Sequence, residues 1–254
     1  MGESIERDNQ YGTAQMQDAL LRVIKIIHRE FERAGVQFFL YSGSLLGAVR
    51  ENGFIPWDDD VDIAMDRANY EKFQKCQSSF HDIQVKRVIW IDRVLEIGAE
   101  PIKGYEPTVD IFVIDHAPDS NVVFRWKIFL LSLLQGMLKE DVQYEGFSAL
   151  QKLMLFTTHQ MGKLFPNRRL QSWYSRVSQI GNKRPTKFVH CTNDTNRDIR
   201  KRFESCVLSK RMLHRFEDTE LYIPAAYDKC LTALYGDYMK RPPEEERKPM
   251  HQDG

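Results

Sequence analysis

The sequence predicts an α/β (α+β) protein, a mixed sheet of about five strands flanked by helices, with a helix-rich C-terminal half. Three observations lead there. Leu20, Ile24, Ile27 and Phe31 recur at helical spacing. Short apolar runs at 36–41, 60–65, 85–90, 94–99 and 109–114 have strand length and are separated by turn residues. From residue 124 to about 174 the apolar positions recur with helical rather than strand periodicity.

Taken in order, residues 1–12 read as a polar lead, and Gly35 supplies the stop of the first helix. Residues 36–41 suit a buried strand. Residues 44–50 read as a short helix, Asn52-Gly53 as a turn and 60–65 as a second strand, after which Asp66 is placed to cap a helix through Phe73. Beyond the helical stretch, short strands are expected near 188–191 and 219–222. Pro224 opens a last helix that Gly236 ends. The expected division is a core at 16–120, a helix-rich region at 121–240 completing the same unit, and a polar tail at 241–254 whose proline and charge content favours an extended or disordered chain.

Composition narrows the class. Of 254 residues, 42% are hydrophobic and 28% charged, as in ordinary globular proteins. The formal net charge is zero, so no global field draws the chain to nucleic acid or anionic lipid, and no nucleic-acid partner is expected. Four cysteines without a CxxC pair read as thiols in a reducing compartment. The polar N-terminus lacks the apolar core of a secretory signal. No run reaches the ~20 apolar residues of a spanning helix, and the expectation is a cytoplasmic protein.

The chemistry concentrates in residues 38–65, FFLYSGSLLGAVRENGFIPWDDDVDIAM. Gly43-Ser44 sits on a strand-to-helix turn, where glycine lets backbone approach a phosphate and the helix start offers free N–H groups and a positive dipole end. Asp60 and Asp62 alternate with apolar Val61 and Ile63, so both carboxylates share one face, with Cα atoms roughly 6.6 Å apart. That spacing suits one or two small hard cations, Mg²⁺ or Mn²⁺, completed by water and phosphate oxygens. Asp110 is an acid embedded in an apolar strand, costly to bury without a partner. If its strand neighbours the acidic one, about 4.8 Å away, it joins the cluster as a third metal ligand or as the base for an attacking hydroxyl. Asp115 falls on the opposite face and reads as a turn residue.

These residues resemble the nucleotidyltransferase-fold pattern of Gly-Ser, Asp-x-Asp and a later single Asp. More narrowly, the run from Gly43-Ser44-Leu45-Leu46-Gly47 to Arg50, with Gly53-Phe54-Ile55-Pro56-Trp57-Asp58-Asp59-Asp60-Val61-Asp62, resembles the LicD family of phosphocholine transferases, related to fukutin-type phosphosugar transferases. Leu234-Tyr235-Gly236-Asp237-Tyr238-Met239 and Pro242-Pro243 are similar to the family's ending, so the resemblance spans about residues 16–247. The interval from Ser44 to Asp60 is longer than the general pattern allows but normal for the narrower family.

The resemblance implies a nucleotidyltransferase-like sheet, with Asp60, Asp62 and Asp110 as catalytic metal ligands and Gly43 and Ser44 holding donor phosphates. It implies transfer of phosphocholine from CDP-choline to a sugar hydroxyl of a surface glycan or its precursor, with release of CMP. Another CDP-alcohol (ribitol, glycerol, ethanolamine), true nucleotidyl transfer from an NTP, and a non-catalytic nucleotide- or glycan-binding module stand as alternatives.

Further candidates have two readings each. Arg50 either reaches donor phosphate or complements a helix C-terminus. Trp57 stacks on a base, faces a quaternary ammonium or packs in the core, and Tyr41, Trp90 and Tyr235 are weaker candidates for such a cage. Asp59 is an outer-shell acid or a turn residue, and Asp58 reads as an exposed turn residue. Arg93 is a candidate phosphate contact in a polar turn, and His116 reads as structural. The apolar run 128–138, with cations at Arg125, Lys127 and Lys139, reads as a buried helix or, with Trp126, as a peripheral membrane contact through 126–139.

Overall fold

The computed structural model describes residues 9–249 apart from 140, 141, 143–145 and 147. The expected polar lead therefore lies outside the described residues for 1–8, as does the end of the tail, 250–254. The chain divides into two compact units, one of Met1–Lys86, Asp92–Phe112 and Cys206–Gly254, the other of Arg87–Ile91 and Val113–Ser205.

In the first unit, α1 (Ala14–Ala34) buries Leu20, Ile24, Ile27 and Phe31 and stops at Gly35, whose φ of 63° is the left-handed cap the sequence predicts. Phe31 meets Phe38, Phe73 and Phe80 with ring centroids 5.6, 5.4 and 5.6 Å away. That aromatic cluster pins α1 against α3 (Arg67–Cys76), which begins where the Asp66 carboxylate accepts the Asn69 N–H at 2.8 Å. The strand order is β1 (Phe39–Leu40), β2 (Val61–Asp66), β5 (Val109–Ala117), β4 (Ile91–Glu96), β3 (Ile83–Val88). β1 runs antiparallel to β2, with Phe39 opposite Ala64 and Leu40 opposite Ile63. β2 is buried along Val61–Met65 on both of its faces, as a central strand must be. β4 and β5 are antiparallel and set Arg93 opposite Asp110.

The mixed fold follows the expectation, with differences at the ends of elements. The strand expected over 36–41 shrinks to two residues, because the chain bends at Ser42 into α2 (Ser42–Glu51). Of the hairpin of β8 (Arg211–Phe216) and β9 (Thr219–Pro224) only the second strand was expected, and it is the one that buries Leu221 and Ile223, while Met212 and Leu213 of the first are exposed. Its turn carries Glu217 at φ 58°, a left-handed residue that no glycine announces. The last helix, α7 (Tyr227–Tyr235), ends at Gly236 as predicted.

In the second unit the end of β5 pairs with β6 (Phe188–Cys191), which pairs with β7 (Phe203–Glu204). Three helices follow β5: α4 (Asn121–Leu138), α5 (Ala149–Gly162) and α6 (Asn167–Ser178). Ile128, Leu131, Leu134, Met137 and Leu138 pack with Leu170 and Tyr174, which makes most of 128–138 core. By length and composition α4 alone, among the described residues, is long and apolar enough to cross a membrane, and half of it is buried in the protein. Asp115 is no turn residue. It is 1% exposed within β5, where its carboxylate accepts from Thr192 Oγ1 at 2.5 Å and from Asn182 Nδ2. The strand runs three residues further than the apolar run suggests, which brings this acid inside it.

Candidate active site

The site is built on the passage from β1 through α2 to β2. Tyr41 is extended and Ser42 takes φ 47°, so the helix starts at Ser42 and not at Ser44. Gly43 and Ser44 thus lie in the first turn, where backbone N–H groups lack intrahelical acceptors and carry the positive end of the helix dipole. The buried Ser44 hydroxyl accepts the backbone N–H of Asp62 at 2.9 Å. One hydrogen bond therefore ties the helix start to the acidic strand. A second contact, Ser42 Oγ to Tyr235 Oη at 2.9 Å, brings α7 to the same turn. A Cβ at Gly43 would lie 2.8 Å from Asp58 Oδ2, so any side chain here would displace that carboxylate.

The acidic loop is held from behind by α1. Gln17 Nε2 donates to the carbonyls of Ile55 at 3.1 Å and Asp58 at 2.8 Å, and Thr13 Oγ1 donates to Pro56 O at 2.7 Å. Sequence reasoning passed over Gln17, although its place in the stripe with Leu20, Ile24 and Ile27 marks a polar residue at a core position. Asp58 is not the exposed turn residue expected. Burial, then the charge and hydrogen bond of Asp60, then the charge of Asp59 push its carboxyl well above the ordinary range. Asp59 and Asp62 are themselves buried, 5% and 8% exposed. Asp58 and Asp60 thus press on one another in a stretch with four carboxylates in five residues, none of them fully open to water, an arrangement that a hard cation relieves.

Asp110 lies on β5, the strand beside β2. Its carboxylate pairs with Arg93 across the β4–β5 ladder, Nε to Oδ1 at 3.0 Å and Nη2 to Oδ2 at 3.4 Å. Arg93, expected in a turn as a phosphate contact, sits in β4 and is engaged with Asp110. Among the described residues no three His, Cys, Asp or Glu side chains converge as a metal cage. Magnesium does not require one, since one or two carboxylates with waters and phosphate oxygens satisfy it.

The remaining candidates are dispersed. Arg50 is in the last turn of α2, seven residues or roughly 10 Å of rise beyond Gly43. Its Nε pairs with Glu51 at 2.8 Å and its Nη1 donates to Tyr238 O at 3.3 Å, while Nη2 is buried with no hydrogen-bond partner among the described residues. Trp57 has the guanidinium groups of Arg50 (6.0 Å) and Arg247 (5.5 Å) over its ring, with Tyr11 edge-on at 5.7 Å. Two cations at its ring make it a poor seat for a quaternary ammonium. Tyr41 is buried against Phe112 and closed to a ligand, whereas Trp90 is half-buried and stacks on Tyr174. His116 is structural, its ring Nδ1 3.1 Å from Thr186 Oγ1.

Residues 35–126, which include β1, α2, β2 and β5, match the family described as LicD/FKTN/FKRP, nucleotidyltransferase domain. Over 259 aligned residues, 93% of this chain and 95% of the relative, the sequence is 26% identical to the lipopolysaccharide cholinephosphotransferase LicD of Haemophilus influenzae. It is 45% identical over 47 residues to the ribitol 5-phosphate transferase FKRP of Homo sapiens, covering 18% of this chain and 10% of that protein. An uncharacterized protein of Rickettsia typhi is 34% identical over 65 residues, 26% of this chain and 21% of that one. The similarity to the LicD/FKTN/FKRP nucleotidyltransferase domain therefore lies in residues 35–126, the stretch that holds the helix start and the acidic strand.

Proposed function

We propose that this protein is a cation-dependent phosphotransferase that moves phosphocholine from CDP-choline to a hydroxyl of a cell-surface glycan or its precursor, releasing CMP. The Ser44–Asp62 hydrogen bond is the observation that carries the reading, because it couples a phosphate-binding helix start to an acidic strand. The name and near full-length match of the H. influenzae relative support the choice of alcohol.

The donor set fits a divalent cation, since the Asp58 carboxyl is pressed against Asp60 with the charge of Asp59 close by, a concentration of negative charge that a cation offsets. Asp60 and Asp62 would hold Mg²⁺ or Mn²⁺, one ion or two, which when bound neutralises charge on the donor's phosphate oxygens. The N–H groups of Gly43 and Ser44 bind the diphosphate and need no reorganisation as charge moves between its oxygens. Asp110 accepts the proton of the attacking hydroxyl, and Arg93 holds that carboxylate in one orientation. Phosphoryl transfer asks for little more than such positioning and charge complementarity.

A second reading, transfer of ribitol phosphate or a similar alcohol phosphate, is favoured by the FKRP match and by the cations that flank Trp57. Incubation with Mg²⁺, a lipopolysaccharide acceptor and CDP-choline, CDP-ribitol or CTP separates the readings. CMP from CDP-choline, lost in Asp60→Ala and Asp62→Ala, is the expected result. Near wild-type turnover in either variant would sink the proposal. Pyrophosphate from CTP would mark a nucleotidyltransferase, and CDP binding without turnover a binding module.

A further inference from the structure

The second unit carries an apolar surface with a charge signature that the neutral chain conceals. Of 16 large hydrophobic residues that are exposed among those described, ten lie between Val122 and Leu164. The centre is α5, ALQKLMLFTTHQMG, whose single buried residue is Gly162. A helix that is apolar around its circumference normally lies inside a protein. This one leaves Leu150, Leu153, Met154 and Phe156 each at least half exposed. It is nonetheless well anchored. Ser148 and Gln151 form a reciprocal capping box, and His159 Nδ1 lies 2.8 Å from Lys139 O. A Cβ at Gly162 would collide with the Met137 carbonyl, so α5 packs directly on α4 at its far end. On α4, Val122, Trp126 and Phe129 recur at helical spacing, all exposed, and with Arg125 line a groove of about 350 Å³.

Along the chain from α5 to β6 the charges have one sign. Residues 148–193 contain eight Lys and Arg and no Asp or Glu. The second unit as a whole carries 16 Lys and Arg against 8 Asp and Glu, net +8, in a chain whose total is zero. We infer that α5, with the aromatic stripe of α4, docks on an anionic lipid bilayer. Its apolar side chains enter the interface while Lys152 and Lys163 meet the headgroups. Aromatic side chains beside basic ones suit the boundary between acyl chains and headgroups. α4 does not cross the bilayer, since Lys127 in its middle is buried and donates to His116 O at 3.2 Å. The contact therefore lies on α5 and the first half of α4, and takes in only the start, at Phe129, of the 128–138 run that sequence reading singled out. The inference is independent of which phosphate the protein transfers.

Flotation of the full chain with vesicles tests it. Binding to phosphatidylcholine–phosphatidylglycerol vesicles should exceed binding to phosphatidylcholine alone by at least tenfold and weaken with added salt, as each Lys or Arg near the surface contributes about fivefold. Leu153→Ser with Phe156→Ser should lower the partition at least tenfold without moving the thermal transition, because both side chains are exposed. Lys152→Glu with Lys163→Glu should remove the preference for anionic vesicles. A chain that floats with neither vesicle, or that binds equally well in both double variants, overturns the proposal. So does a self-associating wild type that becomes monomeric in the Leu153/Phe156 variant and shows no vesicle binding, which would assign the surface to a second copy of the chain.

Discussion

Ser44 Oγ accepts the backbone N–H of Asp62 at 2.9 Å, in a buried position, across 18 residues of sequence. The hydroxyl thus fixes where the acidic strand begins relative to the first turn of α2. Ser44→Ala would leave a buried N–H without its acceptor, a cost of about 1–3 kcal/mol. Urea denaturation should show that loss, and CMP release should fall more than stability alone requires, because Asp62 is no longer held.

Gly47 faces the Gly53 carbonyl oxygen so closely that a methyl group cannot be placed there, and Ile55 N would be 3.1 Å from it. Gly47→Ala would raise helix propensity, yet the backbone of the 53–55 turn would have to move. Destabilisation of about 1–3 kcal/mol is expected, read as a lower midpoint in chemical denaturation. An unchanged or raised midpoint would contradict the close approach.

Asp110 and Arg93 separate orientation from chemistry. Asp110→Asn keeps the shape of the side chain but removes its basicity, so turnover should drop about 10²–10⁴-fold while the thermal transition stays within a few degrees. Arg93→Lys keeps the charge but loses the two-point contact. It should lower turnover less than Asp110→Asn. Equal turnover in all three proteins would remove Asp110 from the reaction.

His190 supplies a pH dependence of stability in the second unit. It is fully buried, its Nδ1 is 2.9 Å from Ile199 O, and burial together with the nearby Lys127 charge pushes its pKa down to about 3 from 6.5. The folded state therefore disfavours the proton that the unfolded chain takes up below 6.5. The stabilisation is complete above that pH and is lost as pH falls from 6.5 toward 3, at about 1.4 kcal/mol per pH unit for one proton. His190→Gln should flatten the stability profile by that slope between pH 6 and 4, whereas an unchanged slope would assign the acid sensitivity to other groups.

Much of this arrangement is legible in the chain because local signals and tertiary packing agree. The α1 stripe, Gly35, the Asp66 cap and Gly236 each act within a few residues, and each appears where read. Asp58 was misread because its burial comes from α1 and Gly43, which lie 41 and 15 positions away in sequence. Asp115 was misread for a similar reason, since its partners Asn182 and Thr192 are far along the chain. The Arg93–Asp110 pair depends on strand register, which no local pattern specifies. The charge division between the two units escaped a whole-chain sum, because +8 and −8 cancel.

Thr13 and Gln17 occupy the carbonyls of Ile55, Pro56 and Asp58, and Asp58 N–H closes on Ile55 O at 2.9 Å. The 55–58 segment has no helix or strand of its own, yet its backbone is secured by the first two turns of a 21-residue helix. In amide hydrogen exchange such a segment opens only when α1 lifts away, so it should exchange on the slow timescale of that helix and not on the fast one of surface turns. The carboxylates are therefore kept in place by the cooperativity of the helix, and in the proposed reaction a cation or donor would meet a loop that is already formed.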